Sequence, residues 1–307
     1  MSDRFRATDV EAWRRDGATR IEGFFTPEEV AAVRADFAQV FGRTAGADAP
    51  LVKTRAWETG QFNAAQFATF DSIPFDCSPA LNLVAVHPAL VAFAKAALGA
   101  ERVYLYQGQA WAKFTGDADY NQPFHCDYAN HTLTAPSEDA RLNSVTFFCY
   151  FSDVTEAHGP MHYVTRPDSA EVAGPEATLS FDREIQGQLQ AALRARARSS
   201  ASPAGTVIPY GIDVFHRGTN MTAPQGHRYV VTACFKAAGN DAIAYHAWPY
   251  HHLKPWSRIF DHATPEQLAC FGVQPPGDPF WTELTLARAQ ARYPRWDLTP
   301  WRAAMGV

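Results

Sequence analysis

Two histidines, a carboxylate and an arginine are the residues of this chain best suited to chemistry. His125 and Asp127 stand two apart in Pro123-Phe124-His125-Cys126-Asp127, His216 closes Asp213-Val214-Phe215-His216, and Arg228 follows one loop later. Two histidines and one carboxylate can hold one face of Fe(II) and leave other positions open for oxygen and a co-substrate. If the three meet in space, the chain is an oxygen-activating iron enzyme. A lone His-x-Asp pair is a weak signal, and His131 leaves a different pairing open. The second half raises the odds. His216 ends an apolar run, and Arg228 opens another, Tyr229-Val230-Val231-Thr232. An arginine there can grip a carboxylate bidentately inside a barrel.

Strands must carry these residues. From Val103 the pattern turns to short runs rich in β-branched and aromatic residues, separated by Gly, Pro, Asp and Asn. They are Val103–Phe114, Ser144–Phe151, Met161–Thr165, Thr206–Ile208, Asp213–His216 and Tyr229–Ala237. Many short strands in this order suit a sandwich or jelly roll. Alternation is expected to set Tyr104, Tyr106 and Gly108 against Leu105, Gln107 and Gln109. The same alternation puts His125 and Asp127 on one face and Cys126 on the other, as a packing residue. A polar helical insert, Phe181–Arg198, interrupts the strands.

Residues 1–100 read as mainly helical. Thr26-Pro27-Glu28-Glu29 is a helix start, with Val30, Val33, Phe37 and Val40 as one buried stripe. A shorter helix is expected from Pro88 to Leu98, stopped by Gly99. Residues 101–240 form the strand-rich core, with the insert near 180–198. Residues 241–307 return to helices, with a capped start at Thr264-Pro265-Glu266-Gln267. Trp281, Tyr293, Trp296 and Trp301 would be an aggregation risk if exposed, so this tail is expected to pack back on the core. Without an evident linker or repeat, the reading is one domain over 1–307.

The chain has 307 residues, 47% of them hydrophobic, and a formal charge of −5, which leaves no footprint for nucleic acid or an anionic membrane surface. The polar start and the lack of an apolar run near the ~20 residues of a membrane span make a cytoplasmic protein the default expectation. Five cysteines without a CxxC argue against a disulfide framework or structural zinc.

At this point the chain resembles the phytanoyl-CoA dioxygenase family of Fe(II)/2-oxoglutarate-dependent oxygenases. The resemblance rests on Asp16-Gly17-Ala18-Thr19-Arg20-Ile21-Glu22-Gly23-Phe24-Phe25, on the turn Asp153-Val154-Thr155-Glu156-Ala157-His158-Gly159-Pro160-Met161, and on the ordered His-x-Asp, His and Arg. It implies a mainly β fold with flanking helices: a double-stranded β-helix, the cupin-like jelly roll, with N- and C-terminal helices. It implies that His125, Asp127 and His216 bind Fe(II), and that Arg228 pairs with the far carboxylate of 2-oxoglutarate. Gln107 and Gln109 then lie on the strand lining the pocket, and Phe148 falls beside 2-oxoglutarate. Three departures stand out. Gly218 occupies a position where the family commonly has a hydroxyl, which Thr219 could supply. The His216-to-Arg228 spacing is longer than usual, so the loop Met221–His227 could bulge and bring His227 near the site. Thr165-Arg166-Pro167-Asp168-Ser169 replaces the usual Gly-Ser-His.

The implied reaction is oxidation of a small metabolite or natural-product intermediate with O2, releasing succinate and CO2. Asp127 fills the position that related halogenases leave small for chloride, which favours hydroxylation or another oxidation such as desaturation. Gln107, Trp111, Tyr128 and His131 are the substrate-contact candidates, with Phe124, Trp248 and Tyr250 as further wall residues. At 13% aromatic content, core packing explains most of those rings, and the two glutamines are the stronger candidates because amides on a buried strand need partners. His246, His251 and His252 suit a solvated loop better than a second metal site. Arg14 and Arg15 read as an exposed helix face, and nothing suggests a CoA nucleotide site. Two other classes stay open: a non-catalytic jelly-roll protein that binds a small ligand, and a zinc hydrolase on the same three ligands.

Overall fold

The computed structural model describes residues 3–41, 67–71, 73–115, 121–131, 136–137, 139–173, 183–243 and 255–306. In chain order the elements are α1 (Ala7–Asp16), α2 (Pro27–Phe41), β1 (Phe67–Asp71), α3 (Pro79–Val84), α4 (Pro88–Leu98), β2 (Val103–Phe114), α5 (Tyr128–His131), β3 (Ser144–Tyr150), β4 (Met161–Tyr163) and α6 (Arg166–Ala173). There follow α7 (Arg183–Arg196), β5 (Arg198–Ser199), β6 (Val207–Gly211), β7 (His216–Gly218), β8 (His227–Ala237), α8 (Ser257–Phe260), α9 (Pro265–Cys270), α10 (Glu283–Arg292) and α11 (Thr299–Met305).

The strands form two antiparallel sheets, ordered β1-β2-β8-β3-β6 and β5-β4-β7. Alternation sorts the large sheet's side chains into two faces. Val145, Phe147, Cys149, Val231, Ala233 and Phe235 pack outward with the helices, in a cluster that runs from Phe5 to Trp301. Tyr150, Ile208, Tyr210 and Val230 point inward against Met161 and Tyr163 of the small sheet. The result is a double-stranded β-helix with helices covering its outer face.

The helix starts follow local chemistry. Thr26 and Glu29 exchange hydrogen bonds at 2.8 and 3.2 Å, and Thr264 and Gln267 repeat the box at 2.9 and 3.2 Å. Gly99 ends α4 at φ 60°, as expected. Trp281, Trp296 and Trp301 are buried in the main cluster, so the tail packs back. Arg14 and Arg15 are exposed, as expected, and the Arg14 guanidinium also donates to the carbonyls of Ala96 (2.6 Å) and Ala97 (3.3 Å) at the end of α4. One expectation needs correcting. The stretch Pro79–Leu98 does have the length and apolarity of a membrane span, but it is broken into α3 and α4 and is mostly buried in the core.

Candidate metal centre and co-substrate pocket

The segment bearing His125 pairs with the segment bearing His216. His125 and His216 exchange backbone hydrogen bonds at 3.0 and 2.9 Å, flanked by Gln122 N–H to Gly218 O and Tyr128 N–H to Ile212 O, both 3.0 Å. This ladder extends the small sheet beyond β7, and Asp127 sits at the turn into α5. The ligand atoms of His125, Asp127 and His216 lie within 4.8 Å of one another. Asp127 Oδ1 is 3.9 Å from His125 Nε2 and 3.5 Å from His216 Nε2.

Both imidazoles are prepared in the same way. His125 Nδ1 lies 3.0 Å from the Pro123 carbonyl, and His216 Nδ1 lies 3.0 Å from the Val214 carbonyl. A carbonyl only accepts, so each Nδ1 carries the proton and each Nε2 turns a lone pair toward Asp127. Burial, reinforced by His216, holds the His125 pKa below its ordinary value, which favours the neutral ring a metal needs. Burial pushes the Asp127 carboxyl up, but His216, His131, His125 and the Tyr210 hydroxyl outweigh it and hold the group below the usual range. Two free imidazole nitrogens and an ionised carboxylate are a donor set that fits Fe(II).

Tyr210 was not a sequence candidate. Its hydroxyl donates to Asp127 Oδ2 at 3.2 Å, and its ring lies 4.8 Å from that of His216. Engaging Oδ2 leaves Oδ1 as the oxygen facing both histidines. Burial and the adjacent Asp127 push the phenol pKa well up, so the hydroxyl stays a donor.

Arg228 lies on the same inner face. Its guanidinium donates to the Gly159 carbonyl and sits over the Phe148 ring at 5.7 Å. Directly opposite on β2 stands Lys113, fully buried, with its side-chain nitrogen donating to the Thr219 carbonyl. Burial, then Arg228, brings the Lys113 pKa down to about 6. Thr219 contributes that carbonyl, while its hydroxyl donates to Pro160 O at 2.6 Å. His227 does not approach: it alternates with Arg228 and stacks on Tyr229, 4.1 Å between ring centres, toward the outer cluster.

Gln109 and Trp111 share the Lys113 face, opposite Thr232 and Val230, and Trp111 Nε1 donates to the Thr232 hydroxyl at 3.3 Å. A bulge between Leu105 and Gln107 breaks the expected alternation. It leaves Leu105 outside while Tyr106 joins Tyr128, Ile212 and Cys234 within, with Gln107 opposite Cys234. The Gln107 side-chain oxygen is buried and has no hydrogen-bond partner among the described residues. His131 bonds the Tyr106 hydroxyl through Nδ1 at 2.6 Å, and that hydroxyl also reaches Ser144 at 3.0 Å. Trp248, Tyr250 and the histidines at 246, 251 and 252 lie outside the described residues.

The family model for phytanoyl-CoA dioxygenase (PhyH) matches residues 13–228, a span that holds the His-Asp-His cluster and ends at Arg228. The chain belongs to the phytanoyl-CoA dioxygenase family. It is thereby an Fe(II)/2-oxoglutarate-dependent oxygenase, with O2 as the oxidant. Among curated proteins no sequence matches it. Solved structures resemble it in fold. The carbocyclase SnoK from nogalamycin biosynthesis is 16% identical, with a TM-score of 0.59 over 81% of this chain and 90% of SnoK. The epimerase SnoN from the same biosynthesis is 16% identical, with a TM-score of 0.55 over 75% and 82%. EctD from S. alaskensis, solved with 2-oxoglutarate and 5-hydroxyectoine, is 18% identical, with a TM-score of 0.56 over 83% and 84%.

Proposed function

We propose that this phytanoyl-CoA dioxygenase family member hydroxylates a small metabolite or natural-product intermediate, with His125, Asp127 and His216 holding the iron. The observation that carries the reading is the pair of imidazoles whose Nδ1 protons are tied to backbone carbonyls, leaving two Nε2 atoms facing one carboxylate oxygen. Bound Fe(II) with 2-oxoglutarate supplies oxygen activation: one oxygen atom goes to the co-substrate, which leaves as succinate and CO2, and the other to the substrate. The chain's own part is binding, orientation and exclusion of water. Arg228 takes the far carboxylate of 2-oxoglutarate, and Lys113 beside it on the same inner face gains a proton, and with it a positive charge, as that carboxylate enters. The Phe148 ring lies under that guanidinium, 5.7 Å from it.

The substrate belongs at the other end of the inner face, where Gln107 and Gln109 lie with the hydroxyls of Tyr106 and Ser144, and where the buried Lys236 is tied to the Ile243 carbonyl. The Gln107 oxygen, buried and without a partner among the described residues, favours a substrate that donates a hydrogen bond. Tyr128 and His131 close that end, with Tyr106 behind them. Asp127 supports hydroxylation over halogenation because the carboxylate fills the coordination position that a halide would need.

Anaerobic titration of the Fe(II)-loaded protein with 2-oxoglutarate tests the reading. The chelate's weak visible charge-transfer band should appear in the wild type, weaken with Arg228→Ala, and vanish with Asp127→Gly together with most turnover. Iron bound without a band would point to a small-ligand-binding protein. Retained turnover in Asp127→Gly would remove that residue from the ligand set.

A further inference from the structure

The helical insert grips both segments that carry the metal histidines. Phe124 precedes His125 and Phe215 precedes His216; both rings are buried in one cluster with Val164 and with Leu189 and Leu193 of α7. Gln190, one residue along α7, clamps the Phe124 backbone from the side: its Oε1 accepts Phe124 N–H at 2.7 Å and its Nε2 donates to Phe124 O at 2.9 Å. A single amide thus supplies the free edge of the His125 segment with the two bonds a neighbouring strand would make. On the other side, Arg166 at the start of α6 holds Asp213, three residues before His216, through two bonds of 2.6 and 2.8 Å. The same guanidinium donates to the carbonyls of Trp13 and Arg14 at 3.1 and 3.0 Å, anchoring α6 to the end of α1. Ion pairs of Arg196 with Glu171 and of Arg198 with Asp168 bind α6 to α7 and the strand after it.

We propose that α6 and α7 form a bracket for the metal centre, in which Arg166 and Gln190 are positioning residues and helix docking and metal binding favour each other. The inference rests on His125, Asp127 and His216 being the metal ligands. If the docked insert fixes the geometry of the two histidines, then by linkage a bound metal must stabilise the docked insert equally. A helix that merely covers the sheet would feel no metal.

The test uses the full-length apoprotein with Mn(II), an oxygen-tolerant probe. Mn(II) affinity is measured by calorimetry, and amide exchange over 187–196 is followed with and without metal. Gln190→Ala loses both bonds; the isosteric Gln190→Glu keeps the acceptor but sets a carboxylate against Phe124 O. Both should bind Mn(II) about tenfold more weakly, the range for outer-sphere partners of metal ligands. The exposed neighbour Gln188→Ala should not. In the wild type, Mn(II) should slow exchange in α7, a readout that needs no variant to fold. Wild-type affinity in both Gln190 variants, or α7 exchange indifferent to metal, overturns the bracket alone. A wild type that takes up no Mn(II) overturns the ligand assignment, and the bracket with it.

Discussion

Lys113 carries a charge that depends on what lies around and beside it. It is fully buried and faces Arg228 across β2 and β8, and burial together with that guanidinium brings its pKa down to about 6. At pH 7.5 the amine is therefore mostly neutral. A carboxylate entering between the two side chains favours the ammonium and raises the pKa again. Binding of 2-oxoglutarate should then take up close to one proton, and affinity should weaken by up to about tenfold per pH unit above the unliganded pKa. Calorimetry of 2-oxoglutarate binding to the Mn(II)-loaded protein, in buffers of different ionisation enthalpy, counts that proton directly. Lys113→Met should abolish the uptake; zero uptake in the wild type would take Lys113 out of the co-substrate site. A lysine in a strand pattern reads as a surface residue, so only the register opposite Arg228 reveals it. Tyr210 was hidden for a related reason. It lies within an apolar strand, and its role follows from a contact with Asp127 that no local pattern encodes.

The turn before β4 is the element that carries the basic pair. Gly159 adopts φ +65°, and a Cβ there would lie 2.5 Å from the Thr219 carbonyl oxygen and 2.8 Å from that of Asn220. The first of those oxygens receives Lys113, and the carbonyl of Gly159 itself receives Arg228. Gly159→Ala should therefore cost more than the roughly 1–3 kcal/mol of left-handed strain, and should also raise the KM for 2-oxoglutarate. Gly239→Ala is the control: its φ is +81° with nothing among the described residues within 4 Å of a Cβ there, so it carries the strain alone. Urea unfolding of both variants separates the terms, and equal losses would mean that the turn yields. Elements of this kind were legible where their chemistry is local. The capping residues at 26 and 264, Gly99, and the limits of β2 all follow from neighbours in sequence. The bulge at Tyr106 and the bracket on Phe124 do not, because each is decided by a partner strand or helix. Gln190 in the sequence is one more polar residue on a polar insert.

At the scale of the molecule, the ordered His-x-Asp, His and Arg pointed to the family because those residues lie at strand ends that the sheet must bring together. What the pattern could not convey is how the outer helices are tied to the sheet, and there pH becomes a probe. α4 packs under the large sheet, and its N-terminus is capped by His87: the unprotonated Nδ1 accepts Ala89 N–H at 3.2 Å while Nε2 lies 3.1 Å from Glu29 Oε1. Charging the ring puts a proton on Nδ1 and removes the cap. Burial lowers the His87 pKa more than Glu29 raises it, and burial also lowers that of His227. A depressed folded-state pKa means that the native state binds fewer protons than the unfolded chain. Stability therefore rises with pH across that window and is lost as pH falls below the ordinary value of 6.5. Asp16 and Glu29, both held below their ordinary values, add a second loss near and below pH 4. With EDTA present to keep metal out, the urea midpoint should fall between pH 7.5 and 5.5. His87→Asn keeps an N-cap acceptor without a titrating ring, so it should flatten that slope while leaving the fall contributed by the other histidines. A midpoint indifferent to pH over this range, or a slope identical in His87→Asn, would mean that the helix layer does not depend on this cap.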